Sequence, residues 1–143
     1  MPFEYVEDAV TSDVTFHAWG ASLDELFGAA VDAVTNAMVA DLEAVRRVKR
    51  EVVEVTAETL DILLLRLLDE VVFLKDSDGM LFRAEQVGVD AGGPPHRAGA
   101  TLVGERIDRT RHELLADVKA VTLYGLRVEC VDGLWHARVT LDV

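Results

Sequence analysis

Disulfide chemistry is the first thing this sequence rules out, because Cys130 is its one cysteine and cannot close a bridge within its own chain. No charged stub followed by an apolar run stands at the N-terminus, so the expectation is a cytoplasmic protein rather than one of an oxidising compartment. Long hydrophobic runs are missing too. The longest apolar stretches, Ile62 to Leu65 and Val71 to Leu74, are broken by Arg66, Asp69 and Glu70, against the roughly 20 residues a bilayer demands. No membrane partner is expected. Positive charge is scarce: 14 Lys and Arg stand against 26 Asp and Glu, a formal charge of -12. Such a balance opposes direct binding to a phosphate backbone, which needs clustered Lys and Arg to release counterions. If RNA is involved, another protein is expected to hold it.

Catalytic signatures are also lacking. There is no HExxH, GxSxG, Walker loop or Ser/His/Asp order, and Gly92-Gly93 is followed by no Lys or Ser/Thr helix start. Asp76-Ser77-Asp78-Gly79 is turn chemistry and fails as a calcium loop, since its glycine comes two residues too early and Val87 stands where a bidentate Glu belongs. His17, His96, His112 and His136 are too scattered for metal-ligand spacing, and Cys130 has no histidine near it, so all five read as structural. The sequence supports no enzyme of its own.

What is present suits one domain over residues 1–143, since half of the residues are apolar and a core can form without staples. The acid excess is dispersed, while the few bases gather locally as in Arg46-Arg47-Val48-Lys49-Arg50. A dispersed acidic surface points to a salt-rich cytoplasm, and equally to plain solubility. Asp13 to Gly20 alternates like a half-buried strand, with Val14, Phe16 and Ala18 on one parity and Asp13, Thr15 and His17 on the other. From Ser22, a good N-cap, the period changes: Leu23, Leu26, Phe27, Ala30, Val34, Ala37 and Met38 describe a helix with one buried face. Val48 to Thr56 reads as a strand and Leu60 to Leu74 as a second helix. Further strands follow over Met80 to Val89, Ala100 to Ile107, Val118 to Val128 and Trp135 to the last residue, with a Gly/Pro loop at 91–95 and a hairpin turn at Asp132-Gly133. The order predicts an α+β fold: a two-layer domain with a mixed β-sheet of six or seven strands packed with two amphipathic helices.

Three places could carry chemistry. Asp13 is a turn or capping carboxylate, or else a metal ligand. Asp142 lies on the polar parity of its strand beside the carboxylate of Val143, an ordinary exposed end or an oxygen cluster of the kind hard cations take. Lys119 heads an apolar strand, where it has solvent, a carboxylate or a phosphate for a partner.

The segments Thr11-Ser12-Asp13-Val14 with Ala18-Trp19-Gly20, Ser22-Leu23-Asp24-Glu25-Leu26-Phe27, Val118-Lys119-Ala120-Val121-Thr122 and Leu141-Asp142-Val143 stand in an order that resembles the archease family over nearly the whole chain. Val10 and Leu123-Tyr124 depart from it, standing where the family usually has a His and a Tyr-His. The resemblance implies an accessory protein of an RtcB-type RNA ligase in tRNA splicing and RNA repair, promoting guanylylation of the ligase and its multiple turnover. It also implies a site for calcium or another divalent metal formed by Asp13, Asp142 and the carboxylate of Val143, and an activating role for Lys119. Two rival classes are a chaperone-like module, with the apolar helices as its client surface, and a metal-dependent hydrolase using the same carboxylates.

Overall fold

The computed structural model describes residues 1–7 and 13–143; Val10 and the Thr11-Ser12 pair of the opening motif lie outside the described residues. Along the chain come β1 (Phe3–Val6), β2 (Val14–Gly20), α1 (Leu23–Met38), a short 3-10 turn (Leu42–Ala44), β3 (Lys49–Ala57), α2 (Leu60–Asp78), β4 (Met80–Asp90), β5 (His96–Arg106), β6 (Ala120–Val131) and β7 (Leu134–Asp142). Among the described residues, two helices and seven strands make the α+β architecture expected from the hydrophobic periods.

Local chemistry explains the ends of the elements. The Ser22 hydroxyl accepts from the Glu25 amide, and the Glu25 carboxylate reaches back to the Ala21 amide at 2.8 Å, so two free N–H groups at the start of α1 are satisfied. Helix α2 runs one turn past Leu74, through the Asp76-Ser77-Asp78 stretch that reads as a turn. Gly79 closes it in the left-handed conformation (φ 65°), with its amide donating to Lys75 O. Residues that favour turns also tolerate a solvated last helical turn, and the glycine decides where it stops. Strand β1 escaped the sequence reading because four residues carry too little period; its Tyr5 hydroxyl donates to Ala33 O at 2.7 Å.

The sheet prediction needs one correction. Instead of a single mixed sheet there are two, ordered β1-β2-β7-β6 and β3-β5-β4, and every pairing is antiparallel. The physical reason lies in the connections. The α2 crossover leaves β3 and β4 pointing the same way, and β5 then inserts between them from a hairpin, so no two parallel strands are neighbours.

Both helices touch both sheets: α1 packs on β2, β7 and β4, and α2 on β3, β4, β5 and β6. Phe16, Leu26, Phe27, Leu63, Leu64, Leu67, Leu68 and Phe82 are fully buried where these layers meet, each aliphatic side chain contributing about 2 kcal/mol by leaving water. Helix α1 also covers the open edge of β4. Its Asp24 and Asp32 carboxylates accept from the Val89 and Ala84 amides, and its Thr35 hydroxyl donates to Phe82 O. An edge strand whose polar groups are occupied in this way offers no template for further pairing.

Candidate functional site

The four-stranded sheet buries one face, carrying Phe16, Ala18, Ala137, Val139 and Leu141, and leaves the other polar. Strand alternation puts Asp13, Thr15 and His17 on that second face of β2, and His136, Arg138, Thr140 and Asp142 on that of β7. Register then brings the two ends of the sequence together. Val14 stands opposite Leu141 and Thr15 opposite Thr140, so Asp13, one residue before Val14, falls beside Asp142. Side chains directly opposed in an antiparallel pair have Cβ atoms about 5 Å apart. Both aspartates are exposed and Val143 is half-buried against the core.

On the other flank of β7, Ala120 stands opposite Asp142, and the Lys119 amide donates to Asp142 O at 2.8 Å. Lys119 therefore meets the aspartates through its main chain. Its side chain is exposed, of opposite parity to Ala120, and among the described residues no carboxylate lies within 4 Å of its ammonium.

The segment leading to Lys119 is held by two charge clusters, each built on a buried ionisable side chain. Lys75, on the last turn of α2, is 8 % exposed and reaches Asp117 and Asp76 at 2.6 Å and Val118 O at 2.8 Å. Burial works to lower the Lys75 ammonium, but the hydrogen bonds and charges of the two aspartates outweigh it and hold it above the ordinary lysine value. The same contact pulls Asp117 below the usual carboxylate range. Glu105 is also buried; it accepts from the Arg46 amide at 2.7 Å, pairs with Arg111, and lies 3.1 Å from His112 Nε2. Burial alone would raise its carboxyl, yet those donors bring it below its ordinary value. His112 is thereby a structural histidine, as its isolation in sequence suggested. Leu115 and Ala116 donate their amides to Met38 O and Ala37 O, occupying carbonyls that α1 leaves free at its C-terminus.

The donor set can be tested against the implied metal. All its donors are oxygens and both aspartate side chains reach solvent, which is the chemistry calcium prefers. Two like charges opposed across strands repel each other, and a cation between them would relieve that repulsion. Calcium takes six to eight oxygens, more than Asp13, Asp142 and the carboxylate of Val143 supply, and among the described residues no three His, Cys, Asp or Glu side chains converge as a metal cluster. The residues fit a hard cation whose remaining ligands are water or groups from a partner.

Two features of this face went unread in the sequence. Thr15 and Thr140 share a hydroxyl hydrogen bond at 2.9 Å, and Thr122 donates to Thr140 O at 3.0 Å, a buried hydroxyl row beside the aspartates. Next to it lie His17, His136 and Arg138. The strand alternation already placed all of them on the polar parity; their scatter along the chain concealed that β2 and β7 are neighbours.

With this geometry in place, the comparisons with known proteins are informative. The family model described as the Archease protein family (MTH1598/TM1083) matches residues 3–143. Protein archease of Methanothermobacter thermautotrophicus is 36 % identical over 141 residues, covering 99 % of this chain and 98 % of its own. That of Methanopyrus kandleri is 34 % identical over 145 residues, covering 100 % of each. The solution structure of Methanobacterium thermoautotrophicum protein 1598 superposes with a TM-score of 0.84 at 34 % identity, covering 99 % of both chains. An archease, possible chaperone, from Thermotoga maritima shares the fold, with a TM-score of 0.58 at 15 % identity over 98 % of this chain and 99 % of its own.

Proposed function

This chain belongs to the archease family, and from that premise we propose that it is an accessory protein that activates an RtcB-type RNA ligase in tRNA splicing and RNA repair, promoting guanylylation of the ligase and its repeated turnover. One observation carries the reading: the β2–β7 register sets Asp13 beside Asp142 at the open end of a polar sheet face, next to the main chain of Lys119. Carboxylates exposed there are placed for another protein to reach.

In this reading Asp13, Asp142 and the carboxylate of Val143 hold calcium or another divalent cation, which when bound supplies positive charge for phosphoryl chemistry. The protein's own part is positional. The sheet fixes the two aspartates, and the Lys75 and Glu105 clusters fix the approach to Lys119, so the groups are ordered before the ligase arrives. Lys119, exposed and with no carboxylate within 4 Å among the described residues, can meet a phosphate or an acidic group of the partner. RNA is held by the ligase, in keeping with the charge of -12.

The test is multiple-turnover ligation by the cognate ligase with and without the protein. Asp13→Ala and Asp142→Ala are expected to fold normally and to lose stimulation of guanylylation; full stimulation by both variants would overturn the reading. A chaperone-like function, by contrast, would use the apolar helix faces, and those are buried between the sheets: Leu26, Phe27, Val31 and Val34 of α1, and Leu63, Leu64, Leu67 and Leu68 of α2, are all fully covered.

A further inference from the structure

On the polar face of the four-stranded sheet, two strand steps from the aspartates, the register places Arg138 of β7 between His17 of β2 and Arg127 of β6. Two arginines directly opposed in an antiparallel pair repel each other, just as the aspartates do. Among the described residues Arg127 has one carboxylate within 4 Å to offset it, that of Glu129 at 3.6 Å, and Arg138 has none. In a chain with 26 acidic side chains against 14 Lys and Arg, a half-buried arginine without an acid partner is an unusual placement. Strand β6 bulges between Thr122 and Arg127, and Gly125 of the bulge lies beside the Arg138 side chain, where an added Cβ would make ordinary contact with Arg138 Nε at 3.6 Å.

Beside Arg138, His17 Nε2 and His136 Nδ1 lie 2.9 Å apart, in rings only 5° from parallel with centroids 5.1 Å apart. That separation is the length of an in-line, edge-to-edge hydrogen bond between coplanar imidazoles, so one proton is shared between them. Glu4 stands 3.6 Å from the far nitrogen of His17. The pair occupies His17 Nε2 and His136 Nδ1 and leaves His136 Nε2 without a hydrogen-bond partner among the described residues. His17, Arg127, Glu129, His136 and Arg138 line one cavity of about 240 Å³.

We propose that this cavity is a phosphate subsite, taking one phosphate group through the Arg138 guanidinium with Arg127 and His136 Nε2 as further donors. Arginine suits the task because its planar fork of N–H groups matches two phosphate oxygens at once. The cavity's size and the protein's overall acidity select a single phosphate rather than a run of them, since an extended backbone would meet the dispersed carboxylates. Four residues of strand, roughly 13 Å, separate Arg138 from Asp142, so the subsite is distinct from the cation site and can be filled without it. The shared chemistry is a phosphate monoester or free phosphate.

Titration of the full-length protein at constant ionic strength, followed by NMR of the histidine imidazoles, tests this without any ligase and separately from the proposed function. Orthophosphate is expected to shift His17 and His136 saturably while leaving His96 and His112 still. Arg138→Gln should weaken binding by roughly tenfold, and Arg138→Lys by less, because the charge is kept and the fork is lost. A parallel titration with a nucleoside monophosphate distinguishes a phosphate monoester from free phosphate by which of the two binds tighter. Equal binding by wild type and Arg138→Gln, or shifts reproduced by chloride alone, would overturn the proposal.

Discussion

Single residues here do one of two jobs, and their expected responses to mutation differ in sign. Asp13 and Asp142 are exposed like charges brought side by side, so Asp13→Asn or Asp142→Asn should not lower Tm in the presence of chelator and should raise it slightly. Added calcium should raise the Tm of the parent and not of the variants; calorimetry with and without the ion decides, and an equal calcium response in parent and variants would remove these side chains from the site. Glu105 works the other way. Its buried carboxylate partners Arg111, His112 and the Arg46 amide, and Glu105→Gln, which leaves those donors without their charge, should cost about 3 kcal/mol in urea unfolding. Because its carboxyl is held below the ordinary value in the folded state, its stabilisation is present above the unfolded carboxylate pKa, about 4.3. That stabilisation is lost as pH falls through the lower folded value. The acid limb of the stability profile should therefore flatten in Glu105→Gln.

At the scale of elements, the connections matter more than the strands they join. Lys75 ties the end of α2 to Asp117 and Val118, and so fixes the entry of β6 beside the end of β7. Lys75→Met keeps the buried stem but leaves the Val118 carbonyl unsatisfied, a loss of about 1–2 kcal/mol. Hydrogen exchange should show the Lys119 amide, which donates to Asp142 O, exchanging faster in this variant; unchanged protection would mean that the clamp does not position the strand. The ammonium is raised above its ordinary value, so this tie is complete below the unfolded lysine pKa and is lost as pH rises through the folded one. Helix α1 has a similar duty toward β4. Asp32→Ala removes the acceptor of the Ala84 amide, with an expected cost of about 1–2 kcal/mol measurable by chemical denaturation. The β6 bulge sets four residues, Leu123 to Leu126, opposite Val139 alone, and exposes Leu123 and Tyr124 at 66 % and 78 %. Gly125 makes the bulge affordable with its φ of 64°.

For the whole molecule the governing quantity is the net charge of -12. Self-repulsion among dispersed carboxylates is long-ranged at low salt, and the screening length shrinks from about 30 Å at 0.01 M to about 3 Å at 1 M. Thermal unfolding in KCl over that range should show Tm rising, and a flat or falling curve would clear the acidic surface of any destabilising role. No helix among the described residues is long and apolar enough to cross a membrane, in keeping with the short aliphatic runs of the sequence.

Much of this was legible without coordinates, for a definite reason. Helix and strand periods are local properties, so α1, α2 and six of the strands follow from neighbours within a few residues, and parity alone told which side of β2 and β7 holds Asp13 and Asp142. The Asp132-Gly133 turn was equally plain, and both residues adopt positive φ, 53° and 80°. What the sequence could not determine was who stands next to whom. The division into two sheets, the meeting of β2 with β7 across more than 100 intervening residues, and the partners of the buried Lys75 and Glu105 all depend on long-range packing of α1 and α2 between the layers. Local sequence determined the faces, and tertiary packing decided the neighbours, because pairing energies between distant strands are set only when the helices bury their apolar sides and fix the register.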